Sequence, residues 1–189
     1  NMTERKCLNL IKKDWEIMSS NPDLMEKAKS WYPIENDYSR NLANKYNLDL
    51  QQVTGLFASF SPLKSVSENK KILVNFLNGS RYGHTSLQMN KAELILQTNK
   101  IEEIDVILSG RKTTAFHRHL YNPLCKEKVC IDTHVIKYFN VGRLIHITPN
   151  RYLMYENVIK KWSKKVNLLP SELQALLWLY SKQQWGINV

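Results

Sequence analysis

Apolar residues recur every three or four positions in segment after segment of this sequence. In "CLNLIKKDWEIM", Cys7, Leu8, Ile11, Trp15 and Met18 fall on one face of a helix. In "SWYPIENDYSRNLANKYN", a second stripe of Tyr38, Leu42, Ala43 and Tyr46 follows Pro33, where a helix is expected to break. Asp49 is a suitable N-cap for a helix over "LQQVTGLFAS", apolar on one side and stopped by Pro62. "VSENKKILVNFLNG" presents Val66, Ile72, Leu73, Phe76 and Leu77 and closes at Gly79. Helical spacing continues through "SLQMNKAELILQTN", "EEIDVILSG", "KTTAFHRHLY", "IDTHVIKYFNVG", "PNRYLMYENVIKKWSKKVN" and "PSELQALLWLYSKQQW". In the last, Pro170, Ser171 and Glu172 form a helix-start signal. Six glycines and six prolines are few for a strand-rich chain of 189 residues, and no two segments read as a strand pair. The expectation is an all-α protein: a compact bilobed helical domain with a groove between the lobes. It spans residues 2–189 as one domain, or as two intertwined helical lobes. Asn1, ahead of Met2, reads as an added residue.

Charge narrows the partner. Lys and Arg number 27 against 17 Asp and Glu, a formal net charge of +10. That excess favours a polyanion, and nucleic acid is the commonest one. Membrane association is not expected. No segment reaches the ~18 apolar residues of a span, and no helix sets a basic face against Trp, Phe and Leu. The N-terminal "NMTERKCLNLIKKDW" lacks the apolar run of a signal peptide. Cys7, Cys125 and Cys130 make no disulfide framework, which points to a reducing cytoplasm. A monomer without a cofactor is expected.

The stretch "GRKTTAFHRHLYNPLCKEKVCIDTHV" concentrates the chemistry of the chain. His117, His119, Cys125, Cys130 and His134 invite a zinc reading, but their spacing lacks the tight pairs that zinc sites use. His117 and His119 would point to different helix faces. The simpler expectation is surface or phosphate-contacting histidines, and cysteines acting as small core hydrophobes. "EEIDVILSGRKTTAF" reads as helix, tight turn at Gly110, helix. The second helix would begin near Arg111 and Lys112 with its N–H groups open to phosphate, Thr113 and Thr114 adding donors. Twenty residues later, Asp132 sits among apolar neighbours in "KVCIDTHV". Followed by Thr133, it also suits a helix N-cap.

"ILSGRKTTAFHRHL" followed by "VCIDTHVIKYF" resembles the core of the helix-hairpin-helix DNA glycosylases, the superfamily that includes endonuclease III. Lys112 and Asp132 match the family's Schiff-base lysine and catalytic aspartate in order and context. "LFASFSPLKSVSENKKIL" resembles the segment upstream of that core, in a form similar to small phage and bacterial members. The likeness spans roughly residues 31–178. The chain departs from it in three places. Gly110 stands alone where relatives carry two hairpin glycines, the iron–sulfur loop of endonuclease III is absent, and Ser61, Pro62 and Leu63 occupy the wedge turn.

The resemblance implies a DNA glycosylase that extrudes and excises a damaged or modified base. Asp132 would stabilise positive charge developing on the sugar. Lys112 would attack C1′, with Arg111 and the helix N-terminus favouring its neutral form, or would hold phosphate while water attacks. Gly110, Arg111, Thr113, Ser61, Leu63, Lys64, His134 and Lys137 would contact DNA. Leu63 is the wedge, stiffened by Pro62, unless the turn is an ordinary connection. Trp31, Tyr32, Phe57, Phe60, Trp178 and Tyr180 could stack on an extruded base or form core. Repair and defence against phage DNA are both open. So are two alternatives on the same fold: a base-hypermodification enzyme and a non-catalytic DNA-binding module.

Overall fold

A computed structural model of the chain describes residues 2–186; the reading of Asn1 lies outside them. Among the described residues there are ten α-helices and no strand. They group into two compact units, one formed by residues 2–34 with 123–186 and the other by residues 35–122.

The first unit contains α1 (Glu4–Ser19), the start of α2 (Pro22–Tyr46), α8 (Thr133–Phe139), α9 (Pro149–Lys165) and α10 (Pro170–Trp185). Cys7, Ile11 and Met18 are the buried stripe of α1, which packs on α9. Burial pushes the Cys7 thiol up to about 12, so it serves as an inert apolar filler. α10 packs on both α8 and α9. Phe139 stacks on Tyr155 with ring centroids 4.6 Å apart, and the Tyr138 hydroxyl donates to Asp14 Oδ2 at 2.9 Å. Pro170 is the first residue of α10, and Glu172 Oε1 accepts from Leu169 N (2.8 Å), as the start signal requires.

The second unit holds the rest of α2, α3 (Leu50–Ser59), α4 (Val66–Leu77), α5 (Ser86–Leu96), α6 (Ile101–Leu108) and α7 (Arg111–Tyr121). α3 is its axle: α4, α5, α6 and α7 all pack on it. The expectation of a one-sided helix fails here, because every residue from Gln52 to Ser59 is buried. Its polar side chains are satisfied locally. Gln52 accepts from Asp49 N (3.0 Å) and donates to Leu96 O (3.3 Å), Thr54 donates to Leu50 O (3.1 Å), and Ser59 to Gln88 O (3.3 Å). A Cβ at Gly55 would stand 2.7 Å from Ile104, so α6 approaches α3 only because a glycine is there.

Pro33 does not break its helix. α2 runs unbroken from Pro22 to Tyr46 with Pro33 inside it. The ring removes one backbone donor, the N–H that would have bonded Lys29 O. Lys29 and Pro33 are both exposed, so water can satisfy the freed carbonyl. The buried residues on either side keep the helix packed: Tyr32 donates to Gln174 at 2.5 Å, and Asn36 donates to Leu120 O and Tyr121 O at 2.8 and 3.0 Å. The latter pair satisfies two carbonyls at the end of α7 that lack helical partners.

Candidate nucleic-acid interface

α6 and α7 are joined by Ser109 and Gly110 alone. Ser109 has φ 64° and ψ −38°, and Gly110 N donates to Leu108 O at 2.8 Å across it. This is a γ-turn with a positive central φ, a rare and strained geometry for a residue with a side chain. The single glycine therefore does not take the left-handed position. Gly110 has an ordinary φ of −82° and caps α7, its carbonyl accepting from Thr114 N at 3.0 Å. The turn is held from three sides. Lys91 Nζ donates to Leu108 O (3.2 Å) and Ser109 Oγ (3.4 Å), bringing an ammonium group onto the end of α6. Asp105 and Arg118 pair across the two helices, with Arg118 Nε 3.0 Å from Asp105 Oδ2. α7 also lies along α3.

The helix start so formed presents Gly110 and Arg111 exposed and Lys112 and Thr113 half-buried. Thr113 donates its hydroxyl to Gly110 O (3.2 Å), so that proton is turned inward. Thr114, expected as a further phosphate donor, is buried instead, as α7 lies against α3.

His117 and His119 correct the expectation of surface histidines: both are fully buried. Burial pushes His117 down to about 4, with Asp105 pulling the other way. Its neutral ring belongs to the core. The unfolded chain binds that proton near pH 6.5 and the folded protein only near 4, so the stability this site confers is complete above pH 6.5 and lost as pH falls toward 4. From pH 7 to 5 the His117-dependent loss is expected to be ~2 kcal/mol. Urea unfolding of the wild type and of His117→Leu at both pH values checks this; equal losses in the two proteins would remove His117 as the cause.

In the same unit, Ser61 to Lys64 form the turn between α3 and α4. Leu63 is at φ 60° and is 101% exposed, so it gives the fold no burial while occupying a left-handed conformation. Ser61 donates its hydroxyl to Ala58 O at 2.6 Å, closing α3, and Lys64 N donates to Ser61 O at 3.2 Å. His84 braces the turn. Thr85 N donates to its Nδ1 (2.9 Å), leaving the proton on Nε2, which donates to Pro62 O (3.0 Å).

In the first unit, Asp132 is the N-cap of α8, its Oδ1 accepting from Val135 N at 2.9 Å. Val129, Cys130 and Ile131, just ahead of it, are buried. The Tyr152 hydroxyl clamps them, donating to Val129 O (2.7 Å) and accepting from Ile131 N (3.2 Å), while Glu156 Oε2 accepts from Val129 N (2.9 Å). α9 thereby fixes the backbone that carries the half-buried Asp132. Burial, chiefly, raises the Tyr32 hydroxyl well above its ordinary range, with Cys130 and Asp132 adding to it. His134 stands edge-on to Trp178 with centroids 5.8 Å apart. Burial, then Lys182 and Lys137, push it down, which favours the neutral ring. Lys137 is half-buried.

Of the aromatics named from sequence, Tyr32, Phe57, Phe60 and Tyr180 are core, while Trp31 and Trp178 are half-buried and meet edge-on at 5.7 Å. Cys130 is core, but Cys125 is half-buried and lies 3.3 Å from Glu127 Oε2. Lys91 and Tyr152 escaped the sequence reading. Each acts on a turn remote from it in the chain, and nothing local marks either.

The unit of residues 35–122 is thus an all-α unit that exposes a basic helix start and an unburied apolar turn. The chain belongs to DUF7178, a family of unknown function, which matches it over residues 1–184. No curated protein and no solved structure matches it. Among the described residues, no helix is long and apolar enough to cross a membrane.

Proposed function

We propose that this protein is a DNA glycosylase, acting as a monomer in the cytoplasm on double-stranded DNA, with α6 and α7 as its helix-hairpin-helix element. The observation that supports this most directly is the strained turn at Ser109, which opens α7 on exposed Arg111 and half-buried Lys112. Backbone strain held in place by an ammonium group, an ion pair and a packed helix is costly, and such strain concentrates at working sites. In this reading the α7 start grips phosphate, Asp132 stabilises charge on the sugar, and Lys112 attacks C1′.

The test is a panel of duplexes, each with one damaged or modified base, read by alkaline cleavage. At least one is expected to yield an abasic site. A panel that is bound but never cleaved would identify a binding module, and altered bases that remain attached would favour hypermodification.

Leu63→Gly separates a wedge from a connecting turn. Glycine accepts φ 60° freely, and no burial is lost, so stability is expected to hold or rise by up to ~1 kcal/mol. Base release is expected to slow by roughly tenfold, because nothing then fills the gap left by the base. A stable variant with unchanged release would make Leu63 an ordinary turn residue.

A further inference from the structure

A cavity of about 400 Å³ opens in the unit that contains α9 and α10. Lys126, Lys160 and Lys164 line it, with Ser163 and Asn167 between them and Leu168 and Pro170 as its apolar side. Among the described residues, no acidic side chain lines it. Lys160 is engaged, donating to Glu127 O at 2.5 Å and lying 3.5 Å from Glu156 Oε1. Lys126 and Lys164 have no carboxylate within ion-pair distance among the described residues. Glu127 Oε2 accepts from Lys126 N (3.2 Å), and Glu172 Oε1 from Leu169 N (2.8 Å).

Lys164 lies in the last turn of α9, where a cation offsets the negative helix end. That does not account for Lys126, which comes from the segment between α7 and α8 and reaches the same cavity. Pro170 adds the positive end of the 16-residue α10. Like charges gathered around a concave surface repel one another; Glu156 offsets Lys160, but no ion pair among the described residues relieves Lys126 and Lys164. An anion seated among them would. The cavity exceeds a single phosphate group, and its apolar side suits an attached sugar.

We infer that this cavity binds the phosphate of a phosphate ester, supplied either by a nucleic-acid backbone or by a free nucleotide. It shares no residue with the α6–α7 turn or with Asp132, and it stands whether or not the protein is a glycosylase.

The test compares Lys126→Gln/Lys164→Gln with Lys12→Gln/Lys13→Gln, which removes equal charge from exposed lysines of α1. All four side chains are exposed, so the fold is expected to survive, as thermal unfolding will show. Binding of a short undamaged duplex is measured across salt, and binding of AMP by calorimetry. If the backbone is the source, the cavity variant alone loses roughly tenfold in duplex affinity at low salt, and its salt slope falls by about 2. If a nucleotide is the source, the cavity variant alone loses AMP binding while duplex affinity holds. Equal losses in both variants, or no loss of either ligand in the cavity variant, would overturn the inference.

Discussion

Asp132→Asn is expected to slow base release at least ~100-fold while leaving DNA affinity close to wild type. The substitution is selective because of where Asp132 stands. Its Oδ1 caps α8 by accepting from Val135 N, and an asparagine oxygen can accept the same bond. The clamp of Tyr152 and Glu156 on the preceding backbone is untouched. The variant therefore keeps the bond that starts its helix and loses the negative charge, for an expected stability change of less than ~1 kcal/mol. Single-turnover release from whichever duplex is cleaved gives the rate, and urea unfolding gives the stability. Release at the wild-type rate would leave Asp132 as a helix cap and nothing more.

Lys112→Gln is expected to abolish a covalent protein–DNA adduct. If the amine attacks C1′, the base departs with the glycosidic electron pair and the sugar opens to an imine on Lys112. Borohydride then reduces that imine to a stable amine link. Trapping during turnover should yield one adduct with the wild type and none with the variant, and the strand nick should vanish with it. The N-terminal amine can form the same link, so the adduct is mapped by mass spectrometry. If Lys112 only holds phosphate, the variant still makes abasic sites and binds more weakly. An adduct that persists in Lys112→Gln, or none on a duplex the wild type demonstrably cleaves, would exclude the Schiff-base route and leave base removal intact.

Local signals carried the helices well. Asp49, Asp132 and Pro170 mark helix starts, and the structure has helices beginning just after or at each. Such signals depend only on neighbours in sequence. The misreadings share the opposite property. Pro33 looked like a break because its local cost is plain, while the hydrogen bonds of Tyr32 and Asn36 that hold α2 together reach residues far along the chain. His117 and His119 looked like surface residues by type, and α7 lying along α3 buries them. At the candidate interface, Gly110 announced a turn, but the strain rests on Ser109, and the ammonium group that steadies it comes from Lys91 on α5.

The grouping of residues 2–34 with 123–186 has a consequence for synthesis. Everything needed for the unit of residues 35–122 is contiguous and emerges from the ribosome before α8, α9 and α10 exist. α1 must wait, its apolar stripe of Cys7, Ile11 and Met18 uncovered until α9 arrives. Early condensation of the inserted segment would shorten the effective loop between α1 and α9 and lower the entropy of closing it. Until α9 is made, that stripe stays open to solvent and to other chains.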